Sequence, residues 1–267
     1  MPDRPAPPEV VLRGLGKIFG TGAGRIEALS SLDLTFAAGQ TTALVGPSGC
    51  GKSTILRLVA GLDEPTTGEV RIGGRSPADV TRDAGLAMAF QDAALLPWRT
   101  VRGNIALALT LARRPADAAE VDRLIALVGL QGFEDHRPAA LSGGMRQRVA
   151  IARCMATEPG LLLLDEPFGS VDELTRIRLN EDLPRLWQRR GATALLVTHS
   201  VAEAVLLSDR VIVLSARPAR VVADIAVPLP HPRLRDATRS AAFHALVDQV
   251  SGALWSGAAG ERPLAAE

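Results

Sequence analysis

The chain has 267 residues, enough for one large domain or two small ones, and its 47% hydrophobic and 22% charged content is an ordinary globular balance. A formal charge of +1 argues against a broad electrostatic footprint for nucleic acid, and two cysteines, Cys50 and Cys154, exclude both a disulfide framework and a four-cysteine zinc site. No apolar run approaches the roughly 20 residues of a spanning helix, and MPDRPAPPEV lacks the apolar stretch of a secretory signal, so residues 1–8 read as a frayed proline-rich tail on a protein of the reducing cytosol.

From residue 9 to 45 the pattern is short strands and turns: VVLRGLGKIF, the turn GTGAG, SLDLTF, then AAGQ leading into the apolar run TTALV. This predicts an antiparallel layer feeding a buried strand. The loop GPSGCG follows, and KSTILRLVA reads as a helix with Ile55, Leu56 and Val59 on one face and Gly61 placed to stop it. EVRIGG and GLAMAF predict two further strands, with Gln91 at the end of the second. Thr100 caps a predicted helix through Ile105, Leu109 and Ala112. Asp117 with Glu120 opens another, showing Val121, Leu124, Ile125 and Val128 at helical spacing before Gly129. A third begins after Gly144, so residues 92–158 read as a helical insertion.

LLLLD at 161–165 is a continuous apolar run of the kind found in central parallel strands. The helical stretch from Asp172 to Arg190 contains Pro184, which predicts a kink or a split. ATALLVT is another buried strand, Ser200 with Glu203 spells a capping box, and VIVL at 211–214 is one more strand. PLPHPRLRD after residue 227 reads as a linker, with FHALVDQVSGALW as a final helix, and no internal repeat is visible.

Gly46, Gly51, Lys52 and Ser53 fit the pattern G-x-x-x-x-G-K-S/T in its required setting of strand, glycine loop and helix. The glycines let backbone N–H groups close around phosphate oxygens, and Ser53 offers a hydroxyl to Mg²⁺. Lysine occurs only at Lys17 and Lys52, arginine supplying the rest of the thirty basic residues. A chain that has otherwise turned to arginine keeps lysine where a slim ammonium reaches between phosphates. Asp165 ends a buried strand, where ligands bind in open α/β sheets, and Glu166 beside it is a candidate to polarise an attacking water. LSGGMRQRVAIARC, residues 141–154, is a second anion-suited loop: two glycines ahead of an arginine-rich helix.

GPSGCGKST, Gln91, LSGGMRQ, LLLLDEP and His199 stand in the order and spacing of the ATP-binding cassette (ABC) ATPases, and the chain resembles that family over about residues 9–220. The likeness implies an α/β fold: a RecA-like P-loop core with an N-terminal antiparallel β layer and an inserted α-helical subdomain. It divides the chain into the tail 1–8, a nucleotide-binding domain 9–230 and a C-terminal helical tail 231–267. ATP is then held by Gly46, Pro47, Ser48, Gly49, Cys50, Gly51, Lys52, Ser53 and Thr54, with Phe19 stacked on adenine. Ser53, Gln91 and Asp165 serve Mg²⁺; Glu166 is the catalytic base, helped by Gln91 and by His199 as the switch histidine.

The same resemblance answers why one chain carries two phosphate loops. Two cassettes pair head to tail, and Ser142, Gly143 and Gly144 of one copy cover the γ-phosphate bound by the other, with Asp172 of the D-loop contacting across the seam. GSVD at 169–172 departs from the usual D-loop in placing Val171 where leucine is common. Leu95, Leu96, Pro97 and Trp98 form an apolar group suited to a short helix of a membrane partner.

AFQDAALLPWRTVRGNIAL, DEPFGSVDELTR and PLPHPRLRD resemble importer cassettes for nitrate, sulfonate and taurine. The expected partners are a second copy, transmembrane permease subunits and, indirectly, a substrate-binding protein, with no nucleic acid, at the cytoplasmic face of the membrane. The rival readings are an importer cassette for another small solute, or a non-transport cassette acting on nucleic acid or the ribosome. The latter calls for coiled-coil inserts, a second cassette or a basic surface, none of which the sequence displays. A P-loop kinase or GTPase leaves LSGG unexplained.

Overall fold

The computed structural model describes residues 6–189, 191–233 and 235–259. Residues 1–5 of the expected tail lie outside this range, but its far end is anchored: the Thr193 hydroxyl donates to the Pro8 carbonyl at 2.7 Å. The chain opens with β1 (Val10–Phe19) and β2 (Ile26–Phe36), an antiparallel pair whose inward residues, among them Val10, Leu12, Leu15 and Phe36, are fully buried. β3 (Thr41–Val45) is buried at every position, as its unbroken apolar run requires, and leads into α1 (Lys52–Val59). α1 ends where predicted, with Gly61 left-handed at φ +69° and Leu62 donating back to the Arg57 carbonyl.

β4 (Thr67–Ile72) returns to the other side of β1, giving a three-stranded sheet in the order β2-β1-β4. A short helix, α2 (Pro77–Arg82), was not legible as an amphipathic repeat. Its signal is local: Ser76 accepts from the Asp79 N–H as N-cap and Pro77 occupies the first turn. β5 (Leu86–Ala89) follows, and then the helices of the insertion: α3 (Val101–Leu111), α4 (Ala118–Leu127) and α5 (Gly143–Ala156). Thr100 caps α3 through the Gly103 N–H, and Asp117 caps α4 through the Glu120 N–H. Ile105, Leu124, Ile125 and Val149 pack them into one apolar cluster.

The second half alternates β6 (Leu161–Asp165), α6 (Glu173–Arg189), β7 (Thr193–Val197), α7 (Val201–Leu207), β8 (Arg210–Leu214), β9 (Val221–Ala226) and α8 (Ala241–Ala259). The large sheet runs β5-β6-β7-β3-β8-β9, parallel throughout except for the edge pair β8-β9. β3, early in the chain, therefore inserts between two late strands. With helices on both faces and the antiparallel layer alongside, this is the expected α/β architecture.

Three local expectations change. Of the two outcomes expected at Pro184, the split does not occur: α6 is continuous for 17 residues. The proline forfeits one ladder bond, the cost of which is offset by burial of Leu179, Leu183 and Trp187 along the same helix. Ser200 caps α7 through the Glu203 N–H, but Glu203 does not complete the box; its carboxyl accepts from the Thr198 hydroxyl, and Thr198 accepts from the Ser200 N–H. Burial holds the Glu203 carboxyl above the usual range.

The run after residue 227 is no free linker. Arg233 is 5% exposed, and its guanidinium donates to the carbonyls of Val205, Leu206, Ser208, Val227 and Leu229. It thereby caps the end of α7 with a cation and ties the segment leading to α8 onto the core. Replacing Arg233 by methionine keeps the stem but strands these carbonyls. Urea unfolding of Arg233→Met is expected to show stability lower by about 3 kcal/mol than the parent.

Candidate nucleotide site

Four neighbouring strands of the large sheet end on the same edge, and each delivers one of the singled-out groups. β5 leads to Gln91, β6 ends in Asp165 and Glu166, β7 leads to His199, and β3 leads to the loop Gly46–Gly51. This is the carboxyl edge of parallel strands, where α/β sheets bind ligands. Groups up to about 150 residues apart in sequence thus line up side by side.

The loop fills the space between β3 and α1 as predicted for a phosphate cradle. Gly51 sits at φ +120° directly before α1, and a side chain there would meet Leu29 Cδ2 at 2.8 Å. Lys52 is 7% exposed, and its ammonium donates to the carbonyls of Gly46 and Pro47, both at 2.8 Å. Cys50 is buried beneath the loop. The cavity in front of it has a volume of about 490 Å³ and is lined by Ser48, Gly49, Gly51, Lys52, Ser53, Thr54, Gln91 and Glu166. Phe19, Ile26 and Ala28 form its apolar end. Phe19 is 40% exposed rather than part of the first sheet's core, and Lys17 Nζ stands 5.0 Å from its ring centroid.

The Ser53 hydroxyl donates to Asp165 Oδ1 at 2.9 Å. Asp165 is buried, and burial raises its proton affinity despite that bond and the nearby Lys52. A carboxylate desolvated beside a hydroxyl, with the Gln91 amide facing the same cavity, is a hard oxygen donor set that suits a divalent cation such as Mg²⁺. Among the described residues no cluster of three or more His, Cys, Asp or Glu side chains could hold a metal alone.

Glu166 is gripped from two sides. Gln91 Nε2 donates to Glu166 Oε2 at 3.1 Å, and His199 Nδ1 lies 3.0 Å from Glu166 Oε1. Its backbone is left-handed at φ +47°, uncommon for a residue with a side chain, and its N–H is held by the Val197 carbonyl at 2.9 Å. The turn after β6 thus aims the carboxylate back across the edge toward the P-loop.

The signature residues Ser142, Gly143 and Gly144, which open α5, are not part of this assembly. Ser142 and Gly143 are exposed at the start of α5, where Ser142 accepts from the Met145 N–H as N-cap. Gly144 packs against the D-loop: a Cβ there would lie 2.8 Å from the Ser170 carbonyl. Asp172 is exposed and caps α6 through the Thr175 N–H at 3.0 Å, a bond that lowers its pKa. Val171 is buried in the core around α5 and α6.

With this geometry in view, the likeness to known proteins is direct. Residues 29–169 match the family described as ABC transporter. An ABC transporter ATP-binding protein of Methanocaldococcus jannaschii is 45% identical over 226 residues, 84% of each chain. The chain belongs to the ABC transporter family. An aliphatic sulfonates import ATP-binding protein of Pseudomonas putida is 47% identical over 235 residues, 88% of this chain and 83% of that one. Among solved structures, a dimeric ATP-binding cassette bound to ADP and Pi in a post-hydrolysis state superposes with a TM-score of 0.74 at 30% identity, covering 83% of this chain and all of the other. This ABC cassette is accordingly an ATPase.

Several residues that build the site were not singled out from sequence. Ile26 and Ala28 carry no motif and reach the cavity only because β2 runs beside the P-loop. Gln147, buried on α5, donates to the Phe90 carbonyl at 3.0 Å, and Arg153 donates to the carbonyls of Ala93 and Ala94. The signature helix therefore holds both ends of the Gln91 loop. Because Gly144 abuts backbone that cannot rotate away, Gly144→Ala must displace the D-loop. Steady-state assays are expected to show ATPase activity at least about tenfold lower, with the Mg-ADP dissociation constant within about twofold of the parent.

Proposed function

We propose that this ABC cassette powers import of a small anion of the sulfonate, nitrate or taurine type through separate permease subunits. A substrate-binding protein selects the cargo. The named role of the P. putida relative, aliphatic sulfonate import, supports this choice. Among the described residues no helix is long and apolar enough to cross a membrane, so the pathway belongs to a partner. The place of action is then the cytoplasmic face of the membrane.

In the proposed cycle, Gly46–Thr54 wrap the triphosphate and Phe19 stacks on adenine. Ser53, Asp165 and Gln91 hold Mg²⁺, whose charge offsets that of the phosphates. Gln91 and His199 fix the Glu166 carboxylate, which accepts a proton from the attacking water while His199 faces the γ-phosphate. The observation that supports the dimer reading is that Ser142, Gly143 and Gly144 do not line their own chain's cavity, and Ser142 and Gly143 are exposed at the start of α5. A second copy, placed head to tail, brings them over the γ-phosphate as charge-assisted donors. Asp172 lies at the same seam. Hydrolysis removes the charge they grip, and the two halves part.

Motion reaches the membrane through the segment after Gln91. The four apolar residues there do not share one role: Leu95 packs onto the core of the insertion, whereas Trp98 is 67% exposed. Asn104, fully buried, clamps the segment, accepting from the Leu96 N–H and donating to the carbonyls of Leu96, Arg99 and Thr100. Arg153 joins it to an apolar cleft of about 300 Å³ walled by Leu86, Met88, Leu107 and Leu111. A short helix of the permease is the occupant this face receives.

Two measurements test the reading. Glu166→Gln is expected to bind Mg-ATP normally, to lose at least about a hundredfold in turnover and to elute as a dimer with ATP. Normal turnover in that variant removes Glu166 as the base. Leu96→Glu and Trp98→Glu are expected to abolish capture by permease-containing membranes while leaving the isolated ATPase rate within about twofold; undiminished capture and transport sink the docking face.

A further inference from the structure

One cation in the nucleotide cavity belongs to none of the motifs. Arg217 lines the same cavity as Ser48, Gly49 and Lys52, and its Nη2 lies 3.2 Å from the position a Cβ on Gly49 would occupy. Lys52 and Arg217 are the only cations among the residues lining the cavity. The Lys52 ammonium is tied to the Gly46 and Pro47 carbonyls, whereas Arg217 has no hydrogen bond or ion pair among the described residues.

The position of Arg217 is built into the fold. It rides on the turn between β8 and β9, which closes on itself through Ser215: the Ser215 N–H donates to the Arg220 carbonyl, and the Arg220 N–H donates to the Ser215 hydroxyl. The turn is also stitched to β2, with the Ala219 N–H donating to the Ala28 carbonyl and the Ser30 N–H to the Ala219 carbonyl. Ala28 lines the cavity, and the site of a Cβ on Gly51 touches Ala219. The turn is thus the outer wall of the P-loop. An exposed arginine fixed to that wall, facing a glycine that leaves it room, is not placed there by packing.

We propose that Arg217 is a phosphate ligand supplied in cis, its guanidinium closing the open side of the P-loop over the oxygens of the bound di- or triphosphate. The chemistry suits the residue. A Mg-bound triphosphate remains anionic, Lys52 meets it as a point charge, and a planar guanidinium adds paired N–H donors matched to phosphate oxygens. Because the contact is to phosphate, it is blind to the base. Because it comes from the same chain as the P-loop, it acts before any second copy arrives. This assignment rests on the nucleotide reading of the cavity.

The test is calorimetric binding of Mg-ADP, Mg-GTP and a nonhydrolysable Mg-ATP analogue to the full chain. Arg217→Ala is expected to weaken all three by about tenfold or more, and Arg217→Lys to recover part of the loss. Folding is checked by circular dichroism and thermal melting, and Ser215→Ala, which loosens the turn but keeps the charge, is expected to lose less than Arg217→Ala. Lys52→Ala is the control for the site itself: if it leaves binding unchanged, the nucleotide reading fails. If Lys52→Ala weakens binding while Arg217→Ala stays within twofold of the parent, Arg217 is not a ligand. A loss confined to adenine nucleotides places the guanidinium on the base and overturns the phosphate assignment. Unchanged nucleotide binding with weakened ATP-driven dimerisation assigns Arg217 to the partner and overturns it equally.

Discussion

The catalytic arrangement depends on β3 lying beside β7 in the sheet, with β6 and β5 beyond it. Parallel pairing makes all four strands end on one edge, so the groups that follow them meet without any long-range loop having to fold over. Register matters as much as order: Asp165 is paired with Val197, and Val197 in turn accepts from the Glu166 N–H. A one-residue slip of β6 against β7 would turn Asp165 to the other face and undo the grip of His199 on Glu166. The continuous burial of β3, β6 and β7 is what fixes the register, since every position of these strands is packed on one face or the other.

That rigid edge carries groups at odds with their surroundings. Asp165 is a carboxylate in a buried place whose charged form is disfavoured by desolvation, with a single hydroxyl donor from Ser53. Glu166 takes a left-handed backbone that costs on the order of 1–3 kcal/mol for such residues. Neither feature helps folding. Both make sense for a site completed by a divalent cation and a polyphosphate, where the buried charge gains its counterion and the aimed carboxylate meets a water. The stability they give up is drawn from the apolar clusters on either side of the sheet.

The sequence was most informative where a local rule acts alone. Strand, glycine loop and helix at residues 41–59, the caps at Thr100 and Asp117, and the unbroken apolar strands follow from neighbouring residues. Their placement in the structure agrees with those rules. It was least informative where tertiary packing decides. Pro184 does not split α6, because Leu183 and Trp187 bury the helix on both sides of it. Arg233 reads as part of a linker because nothing local reveals the ring of carbonyls that receives it. Of the candidate site, the motif residues were legible and their common edge was not. Ile26, Ala28 and Arg217 enter the cavity through strand neighbours more than 15 residues away from any motif.

The signature helix bears on how the nucleotide edge and the membrane-facing segment act together in the proposed cycle. α5 starts just after its cap Ser142 and contacts the Gln91 loop through two residues: Gln147 takes the Phe90 carbonyl and Arg153 the carbonyls of Ala93 and Ala94. Gln91 itself is held by Glu166. In the proposed cycle a γ-phosphate held by the partner at the start of α5 and a phosphate in the chain's own site at Gln91 would therefore act on the same short segment. Beyond that segment Asn104 locks residues 96–100 into a single shape, so a displacement is passed on to Trp98 rather than absorbed in a flexible loop. Backbone carbonyls, not side chains, receive every one of these bonds except that of Gln91 with Glu166 and that of Leu96 with Asn104. In the proposed cycle the linkage thus transmits position through the backbone, which leaves the exposed side chains of Asp92, Pro97 and Trp98 free to fit a permease.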